Sequence, residues 1–520
     1  MPTYVATYVL IYGENDNQKM EKICEKVFNF IQKNATIEKK TDKGEFMLKY
    51  IHGVKNEKPF EYFEEISKIP RASGNEGEIA DYLVGFAAKR NLKAVKDEAN
   101  NVLIIKNATQ GRENEPSIML QAHTDMVAEK NKGTLHNFAT DPIELIQEGN
   151  ILRANNTTLG ADDGFGVAIM LSVLEDKSIS HPRLECLFTS SEEIGLVGAS
   201  KFDYSKVLSK RMVNLDSAEE NSVIIGCCGG IRTELTLPVI MEKGSFKGYK
   251  ISISGLCGGH SGEDIDRGRL NAHILMGLIL TKLKKEIDFT ISHISGGDKD
   301  NAIPRECECV IVTDHNVNEK EINSYARGFI KANEDSALNV KIEKTDTCQG
   351  ISAQDTEKIL QVLSIDNGVL EYRKTAPILP RLSRNLARIR TNESEAAIGF
   401  SSRCYEESGL NESVCFLDSL AKSIGAATYH HEKYPGWESP ATSLLVTSWQ
   451  KAFESVSGEK TEATLIHAGL ECGLISANIK DLEAISVGCN VHDLHTPKET
   501  MEIASMDKIY DTVVEFLKNI

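Results

Sequence analysis

The sequence predicts an α/β protein with a mostly parallel sheet flanked by helices, into which an α+β domain is inserted. Three observations favour this fold class. Short apolar runs alternate with amphipathic helical segments from Lys58 onward. Four of these runs lead into His, Asp or Glu residues. The roughly 200 residues after Asp216 change to repeated strand and helix patterns that are typical of a separate domain.

Length and composition set the class of protein. A chain of 520 residues exceeds the size of a single hydrophobic core, which predicts two or three domains. The net charge of -17 argues against a nucleic-acid partner. No apolar run reaches about 18 residues, so we expect no membrane span. The 12 cysteines include no CxxC pair, which favours free thiols and a cytoplasmic location.

The first 52 residues predict a small accessory unit without chemistry of its own. Two strands, Tyr4–Tyr12 and Glu45–Ile51, flank the helix Gln18–Lys33, whose apolar residues share one helical face. The remaining domain bounds predicted from the sequence are a catalytic domain at 53–229 and 438–520, and an inserted lid domain at 230–437.

The catalytic domain is predicted from its helices and its buried strands. The predicted helices are Glu61–Ile69, the amphipathic segment Gly77–Arg90, and Phe165–Glu175, which follows a Gly-rich turn at 160–164. The strands are continuous short apolar runs, as expected for a parallel sheet that is covered on both faces. They comprise Ile118–Ala122, Leu184–Thr189, Met212–Leu215 and Ala484–Val487.

Chemically active residues follow these four strands. His123 and Asp125 come after the first, Glu192 and Glu193 after the second, and Asp216 directly after the third. A short loop connects the fourth strand to His495. Because ligands bind beyond the carboxyl ends of the strands in an open α/β sheet, we expect these side chains to share one site.

The inserted domain is predicted to be α+β, and its length fits two small αβ units. Its strands are Tyr249–Gly255, Cys307–Thr313, Val340–Glu343 and Ala396–Phe400. Its helices are Asn271–Glu286 and Glu319–Asn333.

The residues at the strand ends predict a hydrolase with two metal ions. Such a centre needs a bridging carboxylate, ligands for each ion and a base for the attacking water. The candidate ligands are His123 and Asp216 for one ion, Glu193 and His495 for the other, and Asp162 as the bridge. Nitrogen and oxygen donors without sulfur suit zinc, and also manganese or cobalt.

Two further carboxylates complete the predicted centre. Asp125 lies two residues after His123, where it can orient that imidazole. Glu192 stands beside the ligand Glu193 and can take a proton from the attacking water as general base. Alternatives remain for single residues: a Glu-Glu pair is often a solvated face, and His492 competes with His495 for the ligand position.

Several motifs carry a resemblance to a known family. They are Gln121-Ala-His-Thr-Asp-Met-Val127, Leu159-Gly-Ala-Asp-Asp-Gly164, Ser191-Glu-Glu-Ile-Gly195, Leu215-Asp-Ser217, Gly258-Gly-His-Ser-Gly262 and His495-Thr-Pro497. Together they resemble the M20 metallopeptidases. Five more motifs resemble the aminoacyl-histidine dipeptidase branch of that family, and the match spans about residues 55 to 520. These are Lys58-Pro-Phe-Glu-Tyr-Phe63, Ile69-Pro-Arg-Ala-Ser-Gly-Asn75, Asn301-Ala-Ile-Pro-Arg-Glu306, Tyr434-Pro-Gly-Trp437 and Ile466-His-Ala-Gly-Leu-Glu-Cys-Gly473.

The resemblance implies a zinc-peptidase-like sheet, the same five ligands and the same base. It adds His260, which would reach from the lid domain to the scissile carbonyl and steady the developing oxyanion. It implies that Arg403 grips the free carboxylate of the substrate and that Asn301 assists. It also implies a cis peptide bond after Asp162 and a homodimer. Whether His260 acts within its own chain or across the dimer stays open.

Two segments depart from the family pattern. Asp163 stands where the family usually has Asn, which adds a negative charge next to the bridging position. The segment 383–387 is more polar than its counterpart. The nearby arginines Arg381, Arg384 and Arg388 either add positive potential to the cleft or form a solvated face.

The function expected from the sequence is hydrolysis of dipeptides of the Xaa-His type, carnosine-like or broader. Two alternatives remain. One is a deacylase of N-acyl amino acids that uses the same metals, and the other is a non-catalytic metal-binding scaffold. Glu192 separates the scaffold from the enzymes, because a purely structural site does not need a spare carboxylate beside Glu193.

Overall fold

The computed structural model describes residues 48–243, 247–347, 349–374 and 378–520. The accessory unit expected at 1–52 lies outside these residues except for its last five, and it stays a prediction. Residues 48–51, the end of the predicted strand Glu45–Ile51, do not form a strand. No helix in the described part of the chain is both long and apolar enough to cross a membrane.

Helices form at all five segments of the described residues that were predicted to be helical, and six further helices have no counterpart in the prediction. In chain order they are α1 Glu57–Ile66, α2 Gly77–Lys89, α3 Ala161–Glu175, α4 Val197–Lys201, α5 Ala272–Lys284, α6 Glu319–Arg327, α7 Ala353–Leu363, α8 Glu407–Ile424, α9 Leu444–Ser457, α10 Glu471–Asn478 and α11 Ile503–Asn519. Short 3-10 turns lie at Tyr204–Lys206 and Asn333–Ala337.

Among the described residues, the strands belong to two large sheets and three small ones. In chain order they are β1 Lys93–Lys96, β2 Val102–Lys106, β3 Ile118–His123, β4 Leu145–Glu148, β5 Ile151–Ala154, β6 Leu184–Thr189, β7 Arg211–Ser217, β8 Ser222–Cys227, β9 Gly229–Pro238, β10 Met241–Lys243, β11 Lys247–Ser254, β12 Gly259–His260, β13 Thr290–Gly296, β14 Ala302–Ile303, β15 Cys307–Thr313, β16 Asn339–Thr345, β17 Gln349–Ile351, β18 Gly368–Tyr372, β19 Pro380–Thr391, β20 Glu395–Cys404, β21 Ala427–Tyr434, β22 Trp437–Glu438, β23 Glu462–Ile466, β24 Glu483–Gly488, β25 Val491–His492 and β26 Thr500–Glu502.

The first large sheet carries the four predicted strands at its centre. Among the described residues its order is β1-β2-β6-β3-β7-β24-β8-β22, with β23 beside β8. The central neighbours β6, β3, β7 and β24 are all parallel. The outer pairings β1–β2 and β2–β6 are antiparallel. The fold class is therefore confirmed, and the parallel character belongs to the strands whose carboxyl ends share one edge.

Helix α3 anchors the turn that precedes it. Nearly every residue from Ala161 to Leu174 is buried, because the helix lies against β3 and β7 on one side and is covered by α1 and α11. This burial explains why α3 is apolar all round rather than amphipathic. Since burial of an apolar side chain contributes about 1.5–3 kcal/mol, the helix holds its N-terminal turn in place firmly.

The second large sheet contains strands between Gly229 and Tyr434 only. Among the described residues its order is β16-β11-β15-β13-β19-β20-β9-β21, with β18 beside β19. Two αβ halves meet where β13 pairs with β19, through Ser295 opposite Arg390 and Gly296 opposite Ile389. Helices α5, α7 and α8 cover one face and share a continuous apolar core with it. The bounds 230–437 for this lid domain remain a prediction.

Three predicted helices differ from the structure by four or more residues at one end, and the one predicted at Phe165–Glu175 begins at Ala161. The helix predicted at Glu61–Ile69 begins earlier, at Glu57, because Pro59 lies in its first turn, where proline is tolerated. The helix predicted at Glu319–Asn333 ends at Arg327 and is followed by Gly328. Glycine is a poor helix former, and a short 3-10 turn at Asn333–Ala337 takes up the remaining segment.

Candidate metal centre and substrate cleft

The parallel strands bring the predicted ligands to one edge of the first sheet. His123 is the last residue of β3, and Asp216 lies near the end of β7. Glu193 follows β6 by four residues. His495 follows the short strand β25 and has a positive φ of 60°, a strained conformation that is common at functional sites.

Asp162 lies between the two histidines. Its Oδ1 is 2.9 Å from Nε2 of His123, and its Oδ2 is 3.1 Å from Nε2 of His495. Nε2 of His123 is also 3.5 Å from Oδ1 of Asp216, and Nε2 of His495 is 3.0 Å from Oε2 of Glu193. The structure therefore brings all five predicted ligands together, with Asp162 in the bridging position.

The electrostatics of this cluster favour bound cations. Burial raises the pKa of Glu193 to about 7 and that of Asp216 to about 6, and the nearby Asp162 adds to both shifts. Burial alone would lower the pKa of His495, but Asp162 and Glu193 raise it to about 11. The protonated imidazoles thus supply positive charge between the carboxylates, and bound cations would supply the same charge there.

The donor set fits two divalent ions. Ligand atoms within 4.8 Å of one another form the groups His123–Asp162–Asp216 and Asp162–Glu193–His495. Oε1 of Glu193 is buried and has no hydrogen-bond partner in the described part of the chain, so it is free to bind a cation. All donors are nitrogen or oxygen, which is the chemistry that zinc and manganese sites use.

The contact between Asp125 and His123 differs in one respect from the predicted one. Nδ1 of His123 lies 3.2 Å from the backbone carbonyl oxygen of Asp125 and 3.5 Å from its carboxylate. The carboxylate accepts instead from the backbone N–H groups of Glu192 at 2.9 Å and Glu193 at 3.2 Å, and from the Ser73 hydroxyl at 2.7 Å. Asp125 therefore orients the imidazole through its backbone and the Glu192–Glu193 loop through its side chain.

Glu192 lies beside the cluster of predicted metal ligands but is not one of the five. One of its carboxylate oxygens lies within 4.8 Å of ligand atoms of His123 and Glu193. Burial raises its pKa well above the usual range, and the negative charges of Glu193 and Asp216 add to the shift. A carboxyl group in these surroundings can accept a proton and hold it.

The N-terminal turn of α3, where Asp162 and Asp163 have non-helical φ and ψ, has the cis peptide bond between these two residues that the resemblance implies. The departure Asp163 is buried, and its carboxylate accepts from the backbone N–H groups of His123 and Gly166, both at 3.2 Å. Both carboxylate oxygens are used as acceptors, which an amide side chain could not reproduce because its nitrogen donates.

One cleft of about 610 Å³ joins the cluster to the lid domain. Asp162, Glu192 and Asp216 line it from the first sheet, and His260, Asn301 and Arg403 line it from the lid. All these residues belong to the same chain. The structure thus places His260 opposite the metal cluster without a second subunit.

Arg403 is a buried cation without a buried anion. Only 6% of it is exposed, and it donates to the Tyr434 hydroxyl at 2.7 Å. Its Nη2 lies 3.4 Å from Nε2 of His260, and its Nε has no hydrogen-bond partner among the described residues. The carboxylate of Glu263 attracts the guanidinium from a distance, without a hydrogen bond to it. A buried guanidinium in this state is costly unless an anion binds, so it favours a ligand with a carboxylate.

His260 presents a neutral imidazole to the cleft. Burial and the positive charge of Arg403 lower its pKa to about 3. Its Nδ1 lies 3.2 Å from the backbone N–H of Glu263, and its Nε2 lies 3.4 Å from Nη2 of Arg403. A neutral imidazole can donate one hydrogen bond, which is what a developing oxyanion needs.

Three other sequence expectations differ in their outcome. Asn301 lies at the rim of the cleft, where its backbone carbonyl accepts from Ser261 at 2.8 Å. His492, the alternative ligand, is bonded to Glu502 at 3.2 Å and belongs to none of the candidate metal groups. The arginines Arg381, Arg384 and Arg388 are not among the residues that line the cleft, and the hypothesis that they add positive potential to it stays a prediction.

Sequence reasoning missed several buried residues around the site. Glu499 and Arg71 hold the turn that carries Asp162, and Glu471 binds Gln121 and Thr189 beneath His123. Each lies far along the chain from the residues it holds. Arg71 and Glu471 occur in motifs of the resemblance, but nothing in their spacing indicates what they contact.

Comparisons with known proteins agree with this geometry. Residues 251–324 match the peptidase dimerisation domain, and residues 101–235 match peptidase family M28. The chain is 32% identical over 470 residues to the cytosol non-specific dipeptidase of Escherichia coli (strain K12), a match that covers 89% of this chain and 97% of that protein.

Solved structures give the same result. The aminoacylhistidine dipeptidase from Vibrio alginolyticus is 32% identical, with a TM-score of 0.77, over 90% of this chain and 97% of that one. An M20 family metallo-carboxypeptidase from Sulfolobus solfataricus is 15% identical, with a TM-score of 0.53, over 89% of this chain and 99% of that one. This last likeness concerns the fold alone.

Proposed function

This chain belongs to the M20 family of metallopeptidases, and we propose that it hydrolyses unblocked dipeptides at a dinuclear metal centre with Glu192 as general base. One observation carries the proposal: a single cleft is lined by four of the five clustered ligands, by the spare carboxylate of Glu192 and by the cation of Arg403, and the fifth ligand, His123, belongs to the same cluster. This combination provides a place for the water, the scissile bond and the terminal carboxylate of one small peptide.

His123 and Asp216 would hold one ion, Glu193 and His495 the other, and Asp162 would bridge them. Two divalent ions in this position polarise the scissile carbonyl and lower the pKa of the attacking water. We propose zinc as the metal, with manganese or cobalt as alternatives, because the donors are imidazoles and carboxylates.

Glu192 then moves the proton. Its buried carboxylate accepts a proton from the attacking water and can deliver it to the nitrogen of the leaving amine. Asp125 keeps Glu192 in place, because its carboxylate binds the Glu192 backbone N–H at 2.9 Å. The surroundings that raise the pKa of Glu192 favour this transient proton.

Two lid residues bind the rest of the substrate. His260, which lines the cleft opposite the ligand cluster, would donate to the carbonyl oxygen as negative charge develops there. Arg403 would bind the terminal carboxylate, which supplies the anion that the buried guanidinium lacks, and Asn301 would assist from the rim. Because these residues line the cleft of their own chain, we propose that His260 acts in cis.

The substrate preference follows from the relatives. The Vibrio alginolyticus structure that shares 32% identity with this chain is an aminoacylhistidine dipeptidase, and the Escherichia coli relative is a non-specific dipeptidase. We therefore propose that dipeptides with a C-terminal His are among the substrates, within a broader range. A cytoplasmic location, a homodimer formed through the matched segment 251–324, and an accessory role for residues 1–52 complete the proposal.

A direct assay separates this function from its alternatives. The purified protein, loaded with Zn²⁺, is incubated with Ala-His, with carnosine and with N-acetyl-histidine. Dipeptidase activity predicts release of free His from Ala-His and little or none from N-acetyl-histidine. A preference for N-acetyl-histidine would instead support a deacylase. Absence of hydrolysis of all three compounds by the wild type, with the same result for the Glu192→Gln variant, would support a non-catalytic scaffold.

A further inference from the structure

The turn that carries Asp162 is bound by a single buried carboxylate. Glu499 is 2% exposed and accepts from four consecutive backbone N–H groups. Its Oε2 accepts from Leu159 at 2.8 Å and Gly160 at 3.0 Å, and its Oε1 accepts from Ala161 at 2.8 Å and Asp162 at 3.3 Å. No N–H group of the segment 159–162 is therefore left unsatisfied.

A buried guanidinium binds the carbonyl groups of the same region. Arg71 is also 2% exposed. It donates to the carbonyl oxygens of Thr124 at 3.1 Å, Asp125 at 3.3 Å and Gly160 at 2.5 Å. Arg71 therefore links the end of β3, which supplies His123, to the turn that supplies Asp162.

The two charged side chains form hydrogen bonds with backbone groups rather than with each other. Among the described residues, no carboxylate lies within 4.0 Å of Arg71, and no cationic nitrogen lies within that distance of Glu499. Each charge still stabilises the other across the turn. A charge-assisted hydrogen bond is about twice as strong as a neutral one. Four such bonds from Glu499 and one from Arg71 fix the turn, and two more from Arg71 hold Thr124 and Asp125.

This arrangement explains the two glycines of the motif Gly160-Ala-Asp-Asp-Gly164. A Cβ atom on Gly160 would lie 2.6 Å from Nη2 of Arg71, and one on Gly164 would lie at the same distance. Gly160 also has a φ of 70°, which favours glycine. The glycines are therefore needed because a guanidinium packs against both ends of the turn.

We propose that Glu499 and Arg71 are positioning residues for the dinuclear centre, and that Glu499 couples the two ions. Glu499 lies four residues after His495, and its N–H donates to the Thr496 carbonyl at 3.0 Å within the same loop. One loop thus carries a ligand of one ion and the anchor of the bridging carboxylate. This proposal rests on the metal part of the proposed function but not on the peptide substrate.

The test measures metal binding without substrate. Zn²⁺ affinity and stoichiometry are determined by isothermal titration of the metal-free full-length chain, for the wild type, Glu499→Ala and Glu499→Gln. Removal of groups that orient metal ligands typically weakens binding about 10–100-fold. We expect Glu499→Ala to weaken the binding of both ions to this extent. We expect Glu499→Gln to be intermediate, because its amide oxygen can still accept from part of the turn.

A matched control and the unfolding temperature separate positioning from folding. Glu502 lies three residues further along and pairs with His492 on the surface, so Glu502→Gln should bind Zn²⁺ like the wild type. Variants that bind both ions with unchanged affinity while the metal-free protein melts at a lower temperature would overturn the proposal. Should Glu499→Ala fail to fold, wild-type affinity in Glu499→Gln would overturn it equally.

Weaker binding of only one of the two ions would also contradict the proposal that Glu499 couples them. The result does not depend on hydrolysis, so the positioning role can be supported even where no dipeptide is cleaved. Conversely, wild-type metal affinity in both Glu499 variants would remove the positioning role and leave a measured dipeptidase activity intact.

Discussion

The two ends of the cleft carry opposite charge and are built by different parts of the chain. At one end, Asp162, Glu193 and Asp216 lie at the edge of the first sheet without a lysine or arginine partner among the described residues. At the other end, the lid strand β20 supplies Arg403, a buried cation without a carboxylate partner. A ligand that complements both ends has cations at one and a carboxylate at the other.

The two ends are also held differently, and this difference separates chemistry from recognition. Strand ends, Glu499 and Arg71 fix the metal end through backbone hydrogen bonds. The recognition end depends on a few contacts of the lid, chiefly the bond from Arg403 to Tyr434. Changes at the metal end should therefore lower kcat, whereas changes at the Arg403 end should raise KM.

The largest expected effect comes from Glu192. The Glu192→Gln variant should lose about 10³-fold in kcat, because it cannot accept the proton of the attacking water. Its Zn²⁺ stoichiometry should stay that of the wild type, since Glu192 is not among the five ligands. Glu219→Gln provides the control, as Glu219 lines the same cleft without joining the cluster. Wild-type kcat in Glu192→Gln would remove the general base from the account.

His260 tests whether the lid contributes to the chemistry. The His260→Ala variant should lose about 10²–10³-fold in kcat with little change in KM, as expected for the loss of one donor to an oxyanion. Mixing His260→Ala with Glu192→Gln protein should restore no activity, because both side chains act within one chain. Recovery in the mixture would show instead that His260 crosses to the partner subunit.

Arg403 should act on binding rather than on chemistry. The Arg403→Met variant should raise KM for Ala-His about 10²-fold, because truncating one partner of a buried charge pair typically costs about 2–5 kcal/mol. Dipeptide amides, which lack the terminal carboxylate, should be cleaved poorly by the wild type and be little affected by the substitution. Arg267→Met is the control, since Arg267 lines the cleft but pairs with Asp264. Equal losses for free and amidated dipeptides would exclude the carboxylate contact.

The smallest expected effect concerns Tyr434. The Tyr434→Phe variant removes the 2.7 Å bond to Arg403 and should raise KM about 10-fold, in line with a hydrogen bond to a charged group. Tyr405→Phe removes a hydroxyl that binds the Ile466 carbonyl at 2.8 Å, and it should leave KM unchanged. A fall in kcat for Tyr434→Phe with constant KM would contradict the division between the two ends.

The sequence predicted the metal end well because strand topology places its residues. Buried parallel strands are recognised as apolar runs, and their carboxyl ends must meet at one edge, so His123, Glu193 and Asp216 could be brought together before any coordinates were known. The same reasoning placed Asp125 beside His123 but not its side-chain contacts, which depend on how the Glu192–Glu193 loop folds back.

The recognition end could not be predicted in this way. Arg403 is one arginine in a lid strand, and its burial depends on the packing of two αβ halves that meet at β13 and β19. Glu499 and Arg71 act on backbone groups, so no pairing of residue types in the sequence reveals them. The basic segment with Arg381 illustrates the same limit, since Arg381 is bound to Glu371 and Glu406 rather than facing the cleft.

The central claim is that two metal ions and Glu192 together hydrolyse dipeptides, and a metal titration with simultaneous assay tests it most directly. Metal-free wild-type protein is titrated with Zn²⁺ while release of His from Ala-His is followed. We expect activity to rise to a plateau at two ions per chain, and Glu192→Gln to bind two ions without activity. A plateau at one ion, or full activity in Glu192→Gln, would contradict the central claim.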